Sequence, residues 1–154
     1  MKYYLSLGGN VGDTREIFRG ALHEIGIEIG EILSISDVIV TPPWGFEAEN
    51  DFMNMAAVVE SDKSPEKVLE DIWEIEKRYG RVRPIGAKGY SSRTLDIDII
   101  FIDDMVIDTP SLKVPHPLSH RRRFVLEPMY QIAPNYIHPV LHKNLDELLA
   151  ECDK

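Results

Sequence analysis

Arg93-Thr94-Leu95-Asp96-Ile97-Asp98-Ile99-Ile100-Phe101 reads as one β-strand carrying two carboxylates in its first half. Side chains alternate faces along a strand, so Leu95, Ile97, Ile99 and Phe101 are expected on one side. Asp96, Asp98, Ile100 and Ile102 are expected on the other, wet at the acidic end and buried at the apolar end. Residues two apart on a strand lie roughly 7 Å apart. Two acids pointing the same way at that spacing repel unless a cation lies between them. Mg²⁺ suits the position, because it takes oxygen ligands and is usually held by one or two carboxylates plus substrate phosphates. An isolated Asp-x-Asp is more often a solvated strand face, and short motifs match by chance. The neighbouring residues reverse that balance.

The chain as a whole is acidic, with 17 Lys+Arg against 26 Asp+Glu. Between Arg78 and Arg93 the sign flips: Arg78, Arg81, Arg83, Lys88 and Arg93 are present, and acids are absent. Gly80, Pro84, Gly86 and Gly89 make most of this window a loop. A basic, glycine-rich loop running into an Asp-x-Asp strand suits a polyphosphate, whose oxygens are shared between Mg²⁺ and guanidinium forks. Pairing with surplus surface acids would contribute little stability and gives no reason for the clustering. Nucleic acid fits less well, because the net charge of −9 opposes phosphate-backbone binding and the basic window is short.

At 154 residues the chain is expected to form one domain spanning 1–154. That length supports a core without disulfides. The single cysteine, Cys152, excludes a disulfide framework and a cysteine-based zinc site. No apolar run approaches the ~20 residues that span a bilayer, and the start of the chain does not resemble a signal peptide. A cytoplasmic protein, monomeric, binding neither membrane nor nucleic acid, is the expectation.

The elements follow in order. Tyr3–Leu7 reads as a strand, broken by Gly8-Gly9-Asn10-Val11-Gly12, with a helix from Thr14 presenting Ile17, Ala21, Leu22 and Ile25. Ile32 to Val40 reads as a second strand stopped by Pro42-Pro43, Trp44 to Asp51 as a long loop, and Met53 to Glu60 as a third strand. Ser64-Pro65 is a strong helix start, an N-cap followed by proline at the first helical position. Val68, Ile72, Ile75 and Tyr79 recur at helical spacing up to Gly80, and the Asp96/Asp98 strand follows. This is β-α-β-β-α-β, the ferredoxin-like order of an α+β antiparallel sheet. A hairpin turn is expected at Asp103-Asp104 into Met105–Ile107. A C-terminal extension should hold a short helix from about His120, punctuated by Pro128, and a last helix from Asn144 to Ala150.

Several other residues are candidates for binding. Exposed aromatics in the loop of Trp44 and Phe46 suit stacking on a flat heterocycle. Phe52 and Asn54 alternate at a strand end, so an aromatic and an amide can share one face; a core phenylalanine and a capping asparagine read equally well. Val114-Pro115-His116-Pro117 fixes a histidine in a rigid turn. Arg121-Arg122-Arg123-Phe124 places three cations near a helix start, a poor dipole position that an anionic ligand would relieve; a solvated basic patch reads equally well.

Together these pieces resemble one family, the 6-hydroxymethyl-7,8-dihydropterin pyrophosphokinases of folate biosynthesis. The resemblance runs through Leu7-Gly8-Gly9-Asn10, Thr41-Pro42-Pro43, Asn54-Met55-Ala56 and Glu76 with Gly80-Arg81-Val82-Arg83. It continues through Arg93-Thr94-Leu95-Asp96-Ile97-Asp98 and Val114-Pro115-His116. It implies transfer of pyrophosphate from ATP to the hydroxymethyl oxygen of the dihydropterin, with release of AMP. Asp96 and Asp98 would hold two Mg²⁺ ions, and with Arg81 and Arg93 would form the catalytic set. Glu76, Arg81, Arg83, Arg93, His116 and Arg122 would line the ATP side. Thr41, Pro42, Trp44, Phe52, Asn54 and Phe124 would line the pterin side.

Some residues depart from the family pattern. Gly9 stands where serine is usual, Tyr90-Ser91-Ser92 replaces Trp-Gly-Pro, Phe52 replaces a frequent tyrosine, and Trp44 is large. None removes a metal ligand. No general base is apparent, and phosphoryl-type transfer needs mainly positioning and charge neutralisation. A ferredoxin-like ligand sensor and another Asp-x-Asp transferase remain alternatives; pterin-dependent release of AMP separates them from the pyrophosphokinase.

Overall fold

The computed structural model describes residues 1–42, 51–80 and 94–152 of the chain. Its central sheet has five antiparallel strands: β1 (Lys2–Gly9), β2 (Glu31–Ile35), β3 (Ile39–Thr41), β4 (Phe52–Glu60) and β5 (Asp96–Ile102). The strands run in the order β2-β4-β1-β5, with β3 also on β4. Helix α1 (Thr14–Glu28) follows β1, and α2 (Pro65–Arg78) follows β4. This is the ferredoxin-like arrangement that the element order predicts.

Helices α1 and α2 bury one face of the sheet. Phe18, Ala21 and Ile25 of α1 and Val68, Ile72 and Ile75 of α2 pack with Tyr3, Leu5, Leu7, Met55, Ala57, Val59, Ile97 and Ile99. Each large aliphatic side chain so buried contributes about 1.5–3 kcal/mol. The Ser64 hydroxyl accepts from the Lys67 N–H at 3.3 Å, with Pro65 opening α2. Gly80, at φ +83°, ends the helical run. Arg78 reaches Glu24 at 2.8 Å and Glu28 on α1, so this member of the basic window ties the two helices together.

Four expectations change. The predicted strand from Ile32 to Val40 is two strands, because Ser36 interrupts it: its hydroxyl accepts from the Ala56 N–H at 2.8 Å. The Asp37 N–H donates to Gln131 at 2.8 Å. The predicted face pattern of β5 holds only to Ile99. Leu5 pairs with Ile99 but Tyr4 pairs with Phe101, so Ile100 is the extra residue of a bulge. Phe101 therefore joins Ile100 in the second core, while Ile102 joins the first. Asp103 and Asp104 do form a turn, with Asp103 at φ +46°. The strand after it, β6 (Ile107–Asp108), pairs instead with β7 (Lys113–Val114). Pro128 does not end its helix, because α3 (Arg123–Ile132) runs through it after a 3₁₀ turn at Ser119–Arg121.

The opposite sheet face carries the C-terminal extension. Val125, Leu126 and Met129 of α3 and Leu145 and Leu148 of α4 (Leu145–Glu151) pack on Ala56, Ile100 and Phe101. Asn144 and Glu147 form a capping box at the start of α4. Tyr136 stacks on Phe101 with centroids 4.2 Å apart, and its hydroxyl donates to the Asp103 carbonyl at 2.5 Å.

His138 is buried beneath this layer at 4% exposure. Its Nδ1 accepts from the N–H groups of Val140 and Leu141, which assigns the neutral ring's proton to Nε2. Burial, then the neighbouring His120 and His142, hold its pKa below the ordinary 6.5. The unfolded chain therefore binds this proton more readily than the fold does. Stability from His138 is complete above about pH 6.5 and is lost as pH falls through the depressed folded value. Urea titrations from pH 7.5 to 5 should show a falling midpoint in the native chain and a flatter profile in His138→Asn. Equal slopes would contradict this.

Candidate active site

The outermost rows of the sheet gather the predicted residues on one face. Gly8 on β1 sits between Asn54 on β4 and Asp96 on β5, and Ser6 sits between Ala56 and Asp98. Directly opposed residues of antiparallel strands share a face. Asn54, Gly8, Asp96, Ser6 and Asp98 thus form a floor that ends where Ala56 meets the α3/α4 core. Both acids are half-buried and Asn54 is buried. A Cβ at Gly8 would lie 2.8 Å from Asn54 Oδ1, so only glycine leaves room for the amide to lean over β1 toward the acids.

Strand β5 is the last of its sheet, and its outer rim is held by other means. The Ile97 N–H, between the two acids, donates to Glu76 Oε2 at 2.8 Å. Glu76 is only 1% exposed. Its helical position predicts a face toward the sheet, and here its carboxylate holds the backbone of β5. Further along, the Ile100 carbonyl accepts from the His116 N–H at 3.0 Å. His116 Nδ1 accepts from the Leu118 N–H at 3.3 Å, which leaves the proton of the neutral ring on Nε2. Burial and then Arg122 lower the His116 pKa, against the opposing pull of Asp96. His116, Arg122 and Asp96 thus share one electrostatic neighbourhood.

Above the floor, the Arg122 guanidinium lies 5.8 Å from the centre of the Phe124 ring. The three cations expected to await an anion are not equivalent. Arg123 is committed internally, to Glu127 at 3.0 Å and to the Leu149 carbonyl at 3.2 Å. Arg121 is exposed. Thr41 ends β3 opposite Phe52, with Pro42 next in the chain. Arg81, Arg83, Arg93, Pro43, Trp44 and Phe46 lie outside the described residues, as do the departures at Tyr90-Ser91-Ser92. The residue overlooked in the sequence is Ser6. Its signal was present: it is a small polar residue between Leu5 and Leu7, in phase with Gly8.

Among the described residues no group of three or more His, Cys, Asp or Glu could hold a metal. The floor offers two carboxylates and a hydroxyl, a hard, all-oxygen set. Such a set fits Mg²⁺ that brings its remaining ligands with a phosphate substrate, and does not fit a metal caged by protein alone. No helix among the described residues is long and apolar enough to cross a membrane.

Comparison with known proteins agrees with this chemistry. A family model described as 7,8-dihydro-6-hydroxymethylpterin-pyrophosphokinase matches residues 4–134. A 2-amino-4-hydroxy-6-hydroxymethyldihydropteridine pyrophosphokinase of Aquifex aeolicus (strain VF5) is 38% identical over 148 residues, 96% of this chain and 90% of its own. The protein of that name from Porphyromonas gingivalis (strain W83) is 34% identical over 137 residues, 88% of this chain and 92% of its own. The crystal structure of wild-type Plasmodium falciparum HPPK-DHPS superposes with a TM-score of 0.79 at 17% identity. It covers 97% of this chain, which spans only 44% of that longer protein, and at this identity the likeness concerns the fold.

Proposed function

The chain belongs to the 7,8-dihydro-6-hydroxymethylpterin-pyrophosphokinase family and is a pyrophosphokinase of folate biosynthesis, and from that membership we propose how its residues divide the reaction. The substrates are ATP and 6-hydroxymethyl-7,8-dihydropterin. The pterin hydroxymethyl oxygen attacks the β-phosphorus of ATP. The bond from that phosphorus to the α,β-bridging oxygen breaks, AMP leaves, and the hydroxyl proton passes to solvent. Asp96 and Asp98 are the residues that hold Mg²⁺, which when bound neutralises phosphate charge. The observation that carries the reading is the cross-strand row Asn54–Gly8–Asp96, which sets an amide for a heterocycle's edge beside an acid pair for a metal.

The remaining roles follow from position. His116 Nε2 and Arg122 face the phosphates, with Arg81, Arg83 and Arg93 of the basic window as further cations on the ATP side. Phe52 and Phe124 flank the pterin, with Thr41, Pro42 and Trp44 at its rim. Glu76 lines the ATP side from beneath, by holding the strand on which the acids stand. One domain spans 1–154, monomeric and cytoplasmic, and nucleic acid is not a partner. The deciding experiment is product analysis with Mg²⁺, ATP and the dihydropterin. Pterin-dependent AMP, abolished by EDTA, is expected; ADP or free pyrophosphate instead would overturn the reading.

Asn54 gives a separable test. An amide offers donor and acceptor in one plane, matching a pterin edge whose buried polar atoms need partners. Asn54→Ala should cost about 1–3 kcal/mol of pterin binding by calorimetry. ATP affinity should change much less; an equal loss for both ligands would remove Asn54 from the pterin side.

A further inference from the structure

Ser6 stands beside Asp98 on the neighbouring strand, both side chains facing the floor. Directly opposed Cβ atoms in such a pair lie about 4.5–5.5 Å apart, within reach of a hydroxyl-to-carboxylate hydrogen bond. Ser6 is 7% exposed. Among the described residues Glu24 Oε2 is the one buried side-chain polar atom without a partner, so the Ser6 hydroxyl is reached from the open side of the floor. Its neighbours in the sheet offer little: Ala56 on one side is apolar, and Tyr4, two residues back on the same face, packs against Phe101 and Tyr136. Among the described residues the Ser6 hydroxyl donates to no protein group. The hydroxyl is therefore available to what the floor receives.

We propose that Ser6 is the positioning residue for Asp98 when a divalent cation is bound. With one Asp98 oxygen turned to the cation, the Ser6 O–H donates to the other and fixes the carboxylate's rotation. Carboxylates that bind metals are themselves held by hydrogen bonds, and removing such a partner typically weakens the metal about 10–100-fold. Asp96 lies opposite Gly8, which carries no side chain, so β1 offers its hydroxyl to Asp98 alone.

This inference rests on the metal reading of Asp96 and Asp98, and the test separates the two. Mn²⁺ is titrated into the full-length chain with α,β-methylene-ATP, and free Mn²⁺ is read by electron paramagnetic resonance. Native protein should bind Mn²⁺, and Asp98→Asn should abolish that binding; failure of either overturns the metal reading and the proposal with it. Ser6→Ala should weaken Mn²⁺ about tenfold while pterin affinity and thermal midpoint stay within error. Ser6→Thr, which keeps the hydroxyl, should recover most of the loss. Mn²⁺ affinity within twofold of native in Ser6→Ala overturns the proposal alone. So does an equal weakening of Mn²⁺ and pterin, which marks a structural role.

Discussion

Asp96→Ala or Asp98→Ala should lower the rate of AMP formation about 10³-fold at saturating Mg²⁺, with the thermal midpoint almost unchanged. Neither acid belongs to a hydrophobic core, and both point to the open floor beside Gly8 and Ser6. Both are half-buried at the wet end of the strand, so removing one opens no cavity in the apolar core and folding loses little. On the proposed function, catalysis loses a ligand for the cation that would neutralise the triphosphate. An effect of this kind is worth several kcal/mol, and each 1.36 kcal/mol is a factor of ten in rate. The paired measurement matters, because a variant that is inactive and unfolded says nothing. Turnover near the native rate in either folded variant would sink the assignment of both acids.

Glu76→Ala should lower stability by about 2 kcal/mol, because the buried Ile97 N–H loses a charged acceptor. For a chain of this size that corresponds to a thermal midpoint lower by about 4–8 °C. Glu76→Gln keeps an acceptor oxygen at the same reach and should recover much of the loss. The Ile97 amide gives the local readout: its hydrogen exchange should accelerate in the alanine variant relative to amides of β1. Activity should fall with it, since the strand that loosens carries the acid pair. An unchanged midpoint together with unchanged exchange at Ile97 would show that the carboxylate does not hold the strand.

Much of this arrangement is legible locally. The alternation from Leu95 to Ile99 and the Ser64-Pro65 helix start each depend on residues close in sequence, and each is found as read. The bulge at Ile100 is not local. It exists because β5 carries one residue more than β1 over the same span, which no single strand reveals, and it exchanges the faces of Phe101 and Ile102. The break at Ser36 likewise depends on Ala56, a partner twenty positions away. On the floor, the acid pair is visible in the strand pattern. That Glu76 grips the Ile97 backbone, and that Ser6 neighbours Asp98, depend on sheet register and helix placement. The basic window and the Trp44 loop lie largely outside the described residues, so their expected roles stand as proposals.

The fastening of the last strand has a consequence beyond catalysis. A strand at the border of a sheet presents backbone donors and acceptors on which a second molecule can build, and proteins blunt such borders to stay dispersed. Here the Ile97 N–H is taken by a helix carboxylate and the Ile100 carbonyl by the backbone of a histidine turn. The stretch so shielded, Ile97 to Ile102, has a single acid among five apolar residues, a composition that self-associates readily when bared. The residues that hold the strand carrying the acid pair therefore also cover part of its border. Variants that loosen α2 or the His116 turn are expected to precipitate on warming before they unfold.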